Sequence, residues 1–297
     1  MTNTFDTSSL KKNPSSPRTL FGLVMSGIAG LFTILAIIPL FIILGYLLTK
    51  GISSLRLQVF TELPPPPLVD GGGFGNAILG TVIMVGIGGL ISVPIGVMAA
   101  IYLSEFGKDS KLANWIRFAT NVLSGVPSII IGVFVYSAIV LNSFIIPRGY
   151  TAWAGGIALA ILMLPIIVRT TDEALKLVPE EVRQASIAVG ANDYQTVLQV
   201  VLPAAIPAII TGVTLSVARA AGETAPLLFT ALFTQYWPNW DNFFAEPTAS
   251  LSVLVYNFAI VPFQNQQELA WAAAFILVLL VLATSIISRI ATSQRTY

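Results

Sequence analysis

Six stretches of the chain run without a charged residue for the length that a membrane-spanning helix needs. A helix crosses the roughly 30 Å hydrocarbon core of a bilayer with about 20 apolar residues. The six stretches are Thr19–Thr49, Gly71–Ser104, Phe118–Pro147, Gly149–Val168, Tyr194–Ala218 and Leu269–Ser288. We expect the fifth helix to continue past Arg219 toward Phe233. The pattern predicts an all-α polytopic membrane protein with six transmembrane helices.

The composition excludes most other classes of protein. Of 297 residues, 55% are hydrophobic and 10% are charged, whereas a soluble domain carries about 25% charged residues. The absence of cysteine and histidine removes thiolate chemistry, disulfides and the commonest metal ligands. A net charge of +1 gives no basic surface for nucleic acid. We therefore expect no catalytic residue, no metal, no cofactor and no nucleic-acid partner.

The distribution of positive charge predicts which side of the membrane each segment occupies. Six spans place both termini on one side. If that side is the cytoplasm, the inner segments hold eleven of the fifteen Lys and Arg residues and the outer segments hold three. This count includes Arg169 in an inner loop and leaves Arg219 inside a span. Because positive residues concentrate in cytoplasmic loops, we predict that both termini are cytoplasmic.

The segments between the spans suggest a division of the chain. We assign residues 1–19 to a flexible cytoplasmic tail, 20–70 to the first transmembrane helix and a proline-rich outer loop, 71–289 to the transmembrane core, and 290–297 to a cytoplasmic C-terminal tail. Pro64–Pro67 predict a stiff polyproline segment, which is either a spacer or a docking edge for an external partner. Leu251–Phe263 is too short to span directly, so we expect an interfacial or re-entrant segment, with a tilted seventh span as the alternative.

The inner loop between the fourth and fifth spans has the pattern of a short capped helix. Pro179 suits the first helical position because its missing N–H needs no partner there. Glu180 favours the same helix start, where the helix dipole attracts negative charge. Gly190 fits the left-handed residue that ends a helix, and Asp193 can cap the next one. A helix over 179–190 is therefore predicted along the inner membrane face.

Small residues on this helix resemble a known docking signature. The order Gln184-Ala185-Ser186, three residues, Gly190, nine residues, then Val200-Val201-Leu202-Pro203 resembles the inner-loop signature of ABC importer permeases. That signature reads Glu-Ala-Ala, three residues, Gly, nine residues, Ile, any residue, Leu-Pro. Gln184, Ser186 and Val200 depart from it, and Gln184 lacks the charge for a salt bridge. An ordinary connecting helix is the alternative that the residues alone leave open.

The resemblance implies that the membrane path and ATP hydrolysis belong to different subunits. In ABC importers this loop helix is the coupling helix, which docks into a cleft of the ATPase subunit. The chain itself lacks a nucleotide-binding loop, because its only Gly-Lys pair, Gly107-Lys108, is followed by Asp109 where Ser or Thr is needed. ATP hydrolysis is therefore expected on a separate ATPase dimer, and this chain is not itself an enzyme.

A charged pair interrupts the fifth span. Arg219 lies sixteen residues after Pro203, which is about 24 Å of helix rise and places it well inside the membrane. Glu223 follows four residues later on the same helix face, and Pro226 should kink or open the helix. Intramembrane charges commonly mark a polar cavity or a substrate path. A self-neutralising structural pair, or an arginine that reaches the interface, is the alternative interpretation.

The functional interpretation is an anion gate. A guanidinium can hold phosphate oxygens by two parallel hydrogen bonds, and Glu223 would compensate Arg219 while no anion is present. The segment from Arg219 through Glu223 and Thr224 to Pro226 resembles permeases of the bacterial phosphate-specific ABC importer, A-type. The resemblance implies a type I ABC importer permease fold in the inner membrane. It also implies a second, C-type permease, an ATPase dimer and a periplasmic phosphate-binding protein as partners, with phosphate as cargo.

A third polar element lies in the third span. Pro127 follows Arg117 by ten residues, about 15 Å of rise, which puts it near mid-membrane. A helix break there would free N–H groups that suit anions, and a simple proline kink is the alternative. Ser124 and Ser128 on either side are candidates for lining the path.

A different class of transporter also fits part of this pattern. Ion-coupled secondary anion transporters place charged groups on broken helices near the midplane. Glu223 is, however, the only carboxylate within the predicted spans. A membrane scaffold whose inner loop recruits a soluble partner is a further possibility without transport.

Overall fold

The computed structural model describes residues 16–107, 110–142, 149–240 and 245–293, which are helical and contain no β-strand. The α-helices of these residues, in chain order, are α1 Pro17–Ser53, α2 Gln58–Thr61, α3 Gly75–Ile101, α4 Lys111–Gly125, α5 Ser128–Val135, α6 Ala152–Lys176, α7 Glu180–Ala188, α8 Asp193–Thr196, α9 Leu202–Ala221, α10 Ala225–Thr230, α11 Leu251–Ala259 and α12 Gln264–Ser293. Wider π-helical turns extend α3 and α5 and join α8 to α9. The prediction of an all-α chain is confirmed.

Five helices in the described residues are long and apolar enough to cross a membrane. The count reaches the predicted six when the bent pair of α4 and α5 is taken as one broken span. The fourth differs in one respect, because α6 continues to Lys176 instead of ending at Val168. Arg169 thus lies within a helix and not in an inner loop. Ion pairs four residues apart, Arg169–Glu173 and Lys176–Asp172, stabilise this charged extension of the helix.

The third predicted span, over Phe118–Pro147, is divided into two helices. α4 and α5 meet at an angle of 105°. Between them, Val126 and Pro127 are extended, with ψ of 127° and 138°. Pro127 cannot donate its backbone nitrogen and disfavours a helical conformation at Val126. The break predicted at Pro127 is therefore present, while Pro147 lies outside the described residues.

The fifth span also ends earlier than predicted. α9 stops at Ala221, and residues Gly222 to Thr224 separate it from α10, so a continuous helix toward Phe233 was wrong. Pro226 sits in the first turn of α10, where its missing N–H is harmless. The opening expected near Pro226 is thus a complete interruption, which begins at Gly222 and contains Glu223.

The segment over Leu251–Phe263 contains a helix of only nine residues, α11. Its length of about 13 Å is less than half of a bilayer core, so a tilted seventh span was wrong. Leu251, Val253, Leu254 and Phe258 are buried. The Ser250 side chain caps the helix by accepting from Val253 N at 3.3 Å. α11 is therefore packed within the protein, chiefly against α12.

α6 lies at the centre of the core. Its N-terminal half packs with α3, α5, α9 and α10 in one apolar cluster that includes Leu159, Met163 and Ala220. Its other end, near Leu175, packs against the start of α9 at Val201 and Ala205. The two ends of α6 thus contact opposite ends of α9, so α6 and α9 run antiparallel with α7 in the connection between them.

The chain separates into two units between Thr49 and Lys50. In the first unit, α1 begins at Pro17, earlier than the predicted tail boundary at residue 19, and carries exposed apolar side chains along its length. Such a surface suits lipid. The rest of both predicted tails, 1–15 and 294–297, lies outside the described residues.

The proline-rich loop belongs to the second unit and is tied to the start of α12. Gln266 Nε2 donates to Pro65 O at 3.3 Å, and Asn265 Nδ2 donates to Val69 O at 2.7 Å. These hydrogen bonds hold the proline-rich loop against the first turn of α12.

A close contact between α5 and α10 gives a test of this packing. A Cβ on Gly132 would lie 2.7 Å from Pro226 Cα, so Gly132→Ala should force the two helices apart and destabilise the fold by about 1–3 kcal/mol. Gly89 on α3 has open space around it and is the matched control. Thermal unfolding of the purified protein in detergent should show a lower midpoint for Gly132→Ala and no loss for Gly89→Ala. Equal midpoints for both variants would contradict this packing.

Candidate functional site: a cavity containing Arg219 and an exposed loop helix

Arg219 lines a cavity of about 220 Å³ between α4, α6 and α9. The polar part of its wall consists of Ser124, Arg169, Thr170, Glu173 and Arg219, and apolar side chains of α4 and α6 complete it. An opening of this size accommodates a small oxyanion with a few waters. The cavity therefore combines two guanidinium groups with hydroxyls in an otherwise apolar setting.

The predicted pair of Arg219 and Glu223 is present. Arg219 Nε lies 3.4 Å from Glu223 Oε1, and the side chains are 59% and 16% exposed. Arg219 occupies the last turn of α9, where the helix dipole favours a cation. The ion pair is longer than a good charge-assisted hydrogen bond of about 2.8 Å. The guanidinium is thus compensated yet accessible to a further anion.

Neighbouring elements hold the interruption after α9 in place. Ser252 Oγ of α11 donates to the Glu223 carbonyl at 2.8 Å. The amide of Glu223 donates to the Ala220 carbonyl at 3.2 Å and thus tightens the last turn of α9. On the other side, Gly132 of α5 contacts the Pro226 backbone. The half of the third span beyond its break therefore supports the segment that carries Glu223.

Two of the five residues predicted to line the substrate path are found in the wall of this cavity. Arg219 and Ser124 line it, and the Ser124 hydroxyl donates to the Thr120 carbonyl at 2.8 Å. Glu223, Thr224 and Ser128 are half-buried and lie outside its wall. Glu223 nevertheless contacts the cavity indirectly, through its pair with Arg219.

Sequence reasoning missed a second charged pair in the same wall. Arg169 Nε lies 3.2 Å from Glu173 Oε1 on α6. This pair repeats the order of Arg219 and Glu223, with the carboxylate four residues after the guanidinium. That repetition was visible in the sequence, but the end of the charge-free stretch at Val168 placed Arg169 in a loop.

The helix predicted over 179–190 is present as α7, which is nine residues long and has Pro179 as its N-cap and not as its first helical residue. Gln184 and Ala185 are exposed, whereas Ser186 is half-buried and its Oγ lies 3.0 Å from Thr196 Oγ1. Gly190 has φ of +94°, the left-handed conformation that was expected of it. The exposed face of α7 is thus available to another protein.

Asn192, and not Asp193, caps the helix that follows. Its side chain accepts from Gln195 N at 2.9 Å, and Gln195 Oε1 accepts from Asn192 N at 2.9 Å. This reciprocal arrangement is a capping box. Asn192 takes the role because its backbone is extended while Asp193 is already helical.

Arg183 links α7 to the transmembrane helices through contacts that the sequence analysis did not predict. Arg183 Nη2 lies 3.0 Å from Glu105 Oε1 in the turn after α3 and donates to the Leu175 carbonyl at the end of α6 at 2.9 Å. Arg183 and Glu105 are only 13% and 9% exposed. The guanidinium therefore connects α7 to the end of α6 and to the turn after α3.

Exposed aromatic and aliphatic side chains surround α7. The rings of Phe106 and Tyr194 are in contact, with centroids 5.1 Å apart and planes tilted by 30°, and both are exposed. Val189 is 86% exposed and Leu177 78%. Apolar residues grouped in this way are typical of a protein contact surface.

Comparison with known proteins places these features in a family. Residues 92–295 match the family described as binding-protein-dependent transport system inner membrane component. The chain is 43% identical over 267 residues to the phosphate transport system permease protein PstA of Haemophilus influenzae, covering 90% of this chain and 92% of that protein. It is 40% identical over 242 residues to PstA of Yersinia pestis, covering 82% of this chain and 80% of that protein.

Solved structures agree on the fold. A chain of the inward-facing MetNI methionine ABC transporter aligns with a TM-score of 0.58 at 20% identity, covering 74% of this chain and 95% of that chain. A chain of a bacterial alginate ABC transporter, in complex with an alginate-bound periplasmic protein, aligns with a TM-score of 0.62 at 13% identity, covering 93% and 96%. Both are ABC importer permease folds. The chain belongs to the family of binding-protein-dependent transport system inner membrane components.

Proposed function

We propose that this chain is the A-type permease subunit of an ATP-driven importer of inorganic phosphate. The observation that carries the proposal is Arg219, a guanidinium at an interrupted helix that faces a cavity and has a single, long ion pair. Relatives named as phosphate transport permeases, at up to 43% identity, support phosphate as the cargo. Membership of a binding-protein-dependent family speaks against the ion-coupled carrier and the scaffold that the sequence left open.

The path is completed by other subunits in this proposal. A C-type permease supplies the opposite wall, a periplasmic phosphate-binding protein delivers the anion, and an ATPase dimer docks on the face of α7 around Gln184, Ala185, Ser186 and Gly190. Both termini then lie in the cytoplasm of a bacterial cell, with the complex in the inner membrane. The exposure of the cavity wall and of α7 in the isolated chain supports contacts with further subunits.

The mechanism follows from the antiparallel packing of α6 and α9, with α7 in the connection between them. ATP binding draws the docked α7 inward, and Arg183 passes that displacement to α3 and α6 through Glu105 and the Leu175 carbonyl. The cavity then opens toward the binding protein. A phosphate anion replaces Glu223 as the partner of Arg219, so the guanidinium never stands uncompensated in an apolar setting.

Arg219→Gln tests the electrostatic part of this mechanism. Because charge-assisted hydrogen bonds contribute about 1.5–3 kcal/mol each, we expect net phosphate uptake by the reconstituted complex to fall by about 10- to 100-fold. Assembly with the other subunits should persist. Arg219→Lys keeps the charge but loses the paired donors and should be intermediate. Uptake at the normal rate by Arg219→Gln would make Arg219 a structural residue.

Gly190→Val tests the proposed docking of the ATPase subunit on α7. A β-branched residue resists φ of +94°, so the end of α7 should be displaced and the ATPase subunit should copurify in smaller amounts. No side chain crowds this position, so the effect isolates the backbone conformation. Gly190→Asn is the control, because asparagine tolerates the left-handed region better than other residues. Normal copurification of the ATPase with the valine variant would contradict the assignment of α7 as the coupling helix.

A further inference from the structure

We propose that Arg169 and Glu173 form a second anion-binding station in the same cavity, between Arg219 and the end of the permease that carries α7. The inference rests on the proposed function, since it takes an oxyanion as cargo. It adds to it a defined route: the anion moves from the guanidinium on α9 to the guanidinium on α6 before it leaves.

The positions of the two arginines follow from the packing of α6 against α9. Thr170 lies directly against Gly212, whose missing side chain leaves room for the threonine hydroxyl and Cβ. Arg219 is seven residues further along α9, which corresponds to about 10 Å of rise away from the α7 end. Arg169 is next to Thr170 and therefore stands about 10 Å closer to α7 than Arg219 does. Both side chains line one cavity, so an anion can pass between them without crossing a wholly apolar wall.

The two pairs are built in the same way. In each, a carboxylate four residues later contacts only the Nε of the guanidinium, at 3.2 Å in one pair and 3.4 Å in the other. A guanidinium has five N–H donors, and in the part of the chain that the structure describes neither arginine has a further hydrogen-bond or ion-pair partner. The terminal nitrogens that grip an oxyanion are thus available in both.

A purely structural role for Arg169 fits less well. Its side chain is 71% exposed and that of Glu173 is 63% exposed, and pairs exposed to this degree contribute only about 0–1 kcal/mol to stability. Arg183, by contrast, is largely buried and donates to two backbone carbonyls as well as to Glu105. Arg183 is thus held by largely buried contacts, whereas Arg169 and Arg219 are accessible charges.

A cysteine reporter in the cavity tests the local electrostatics. The chain has no native cysteine, so Ser124→Cys places a single thiol of this subunit in the cavity wall. In the assembled complex, modification by an anionic methanethiosulfonate is compared with modification by a cationic one. Because two charges at about 10 Å still interact appreciably at a protein surface, Arg169→Gln should lower the anionic-to-cationic rate ratio by about tenfold.

Phosphate uptake tests the role in transport. We expect Arg169→Gln to lower uptake by about tenfold while the ATPase remains stimulated by phosphate-loaded binding protein. The double variant Arg169→Gln/Glu173→Gln removes the whole pair and leaves no unpaired carboxylate, and its uptake should stay low. Lys176→Gln is the matched control, because Lys176 belongs to an ion pair with Asp172 on the same helix but does not line the cavity. It should change neither the rate ratio nor uptake.

The outcomes separate the station from the function on which it rests. An unchanged rate ratio in Arg169→Gln, or normal uptake by the double variant, would overturn the station. The second result would mean that Arg169 serves only to neutralise Glu173. If the wild-type complex takes up no phosphate but the rate ratio falls as expected, the choice of cargo fails and the anion station stands.

Discussion

A guanidinium among apolar helices requires both a compensating charge and a polar space, and this requirement governs the organisation of the permease core. Burial of an unpaired charge costs several kcal/mol. Glu223 meets the first need, at 3.4 Å from Arg219, and the cavity meets the second. α9 ends at Ala221, two residues after Arg219, so Glu223 is held by contacts from neighbouring elements and not by a continuing helix: Ser252 Oγ donates to its carbonyl at 2.8 Å.

The break in the third span serves the same core. α4 and α5 diverge by 105°, so α4 lines the cavity with Ser124 while α5 supports the segment after α9 through Gly132 and Pro226. One proline thus allows a single span to contribute to both the wall and its support. Irregular backbone of this kind is tolerated at membrane depth where it lines a cavity or is packed within protein.

Much of this arrangement could be predicted from the sequence because it follows from local chemistry. Charge-free stretches located the spans, the spacing of Arg219 and Glu223 predicted the ion pair, and Gly190 predicted a left-handed residue. Errors arose where helices continue or stop through tertiary contacts. Arg169 was placed in a loop because a charge ended the apolar stretch, yet α6 continues to Lys176, where Leu175 packs against Val201 and Ala205.

The partners of Arg183 could not be predicted from the sequence. Glu105 is 78 residues away in the chain, and no periodicity joins the two. Likewise, Ser124 was a candidate through its proximity to Pro127, but its place beside Arg219 depends on how α4 packs against α6. Long-range packing, which local patterns do not encode, determined both results.

A density map of the assembled complex tests the central claim most directly. With the second permease, the ATPase dimer and the binding protein in place, this account predicts that the Arg219 guanidinium faces a water-filled space between the two permeases. It also predicts that the space is continuous with the cavity beside Arg169. A map that shows the Arg219 guanidinium against lipid, or enclosed by protein without any adjoining space, would contradict it.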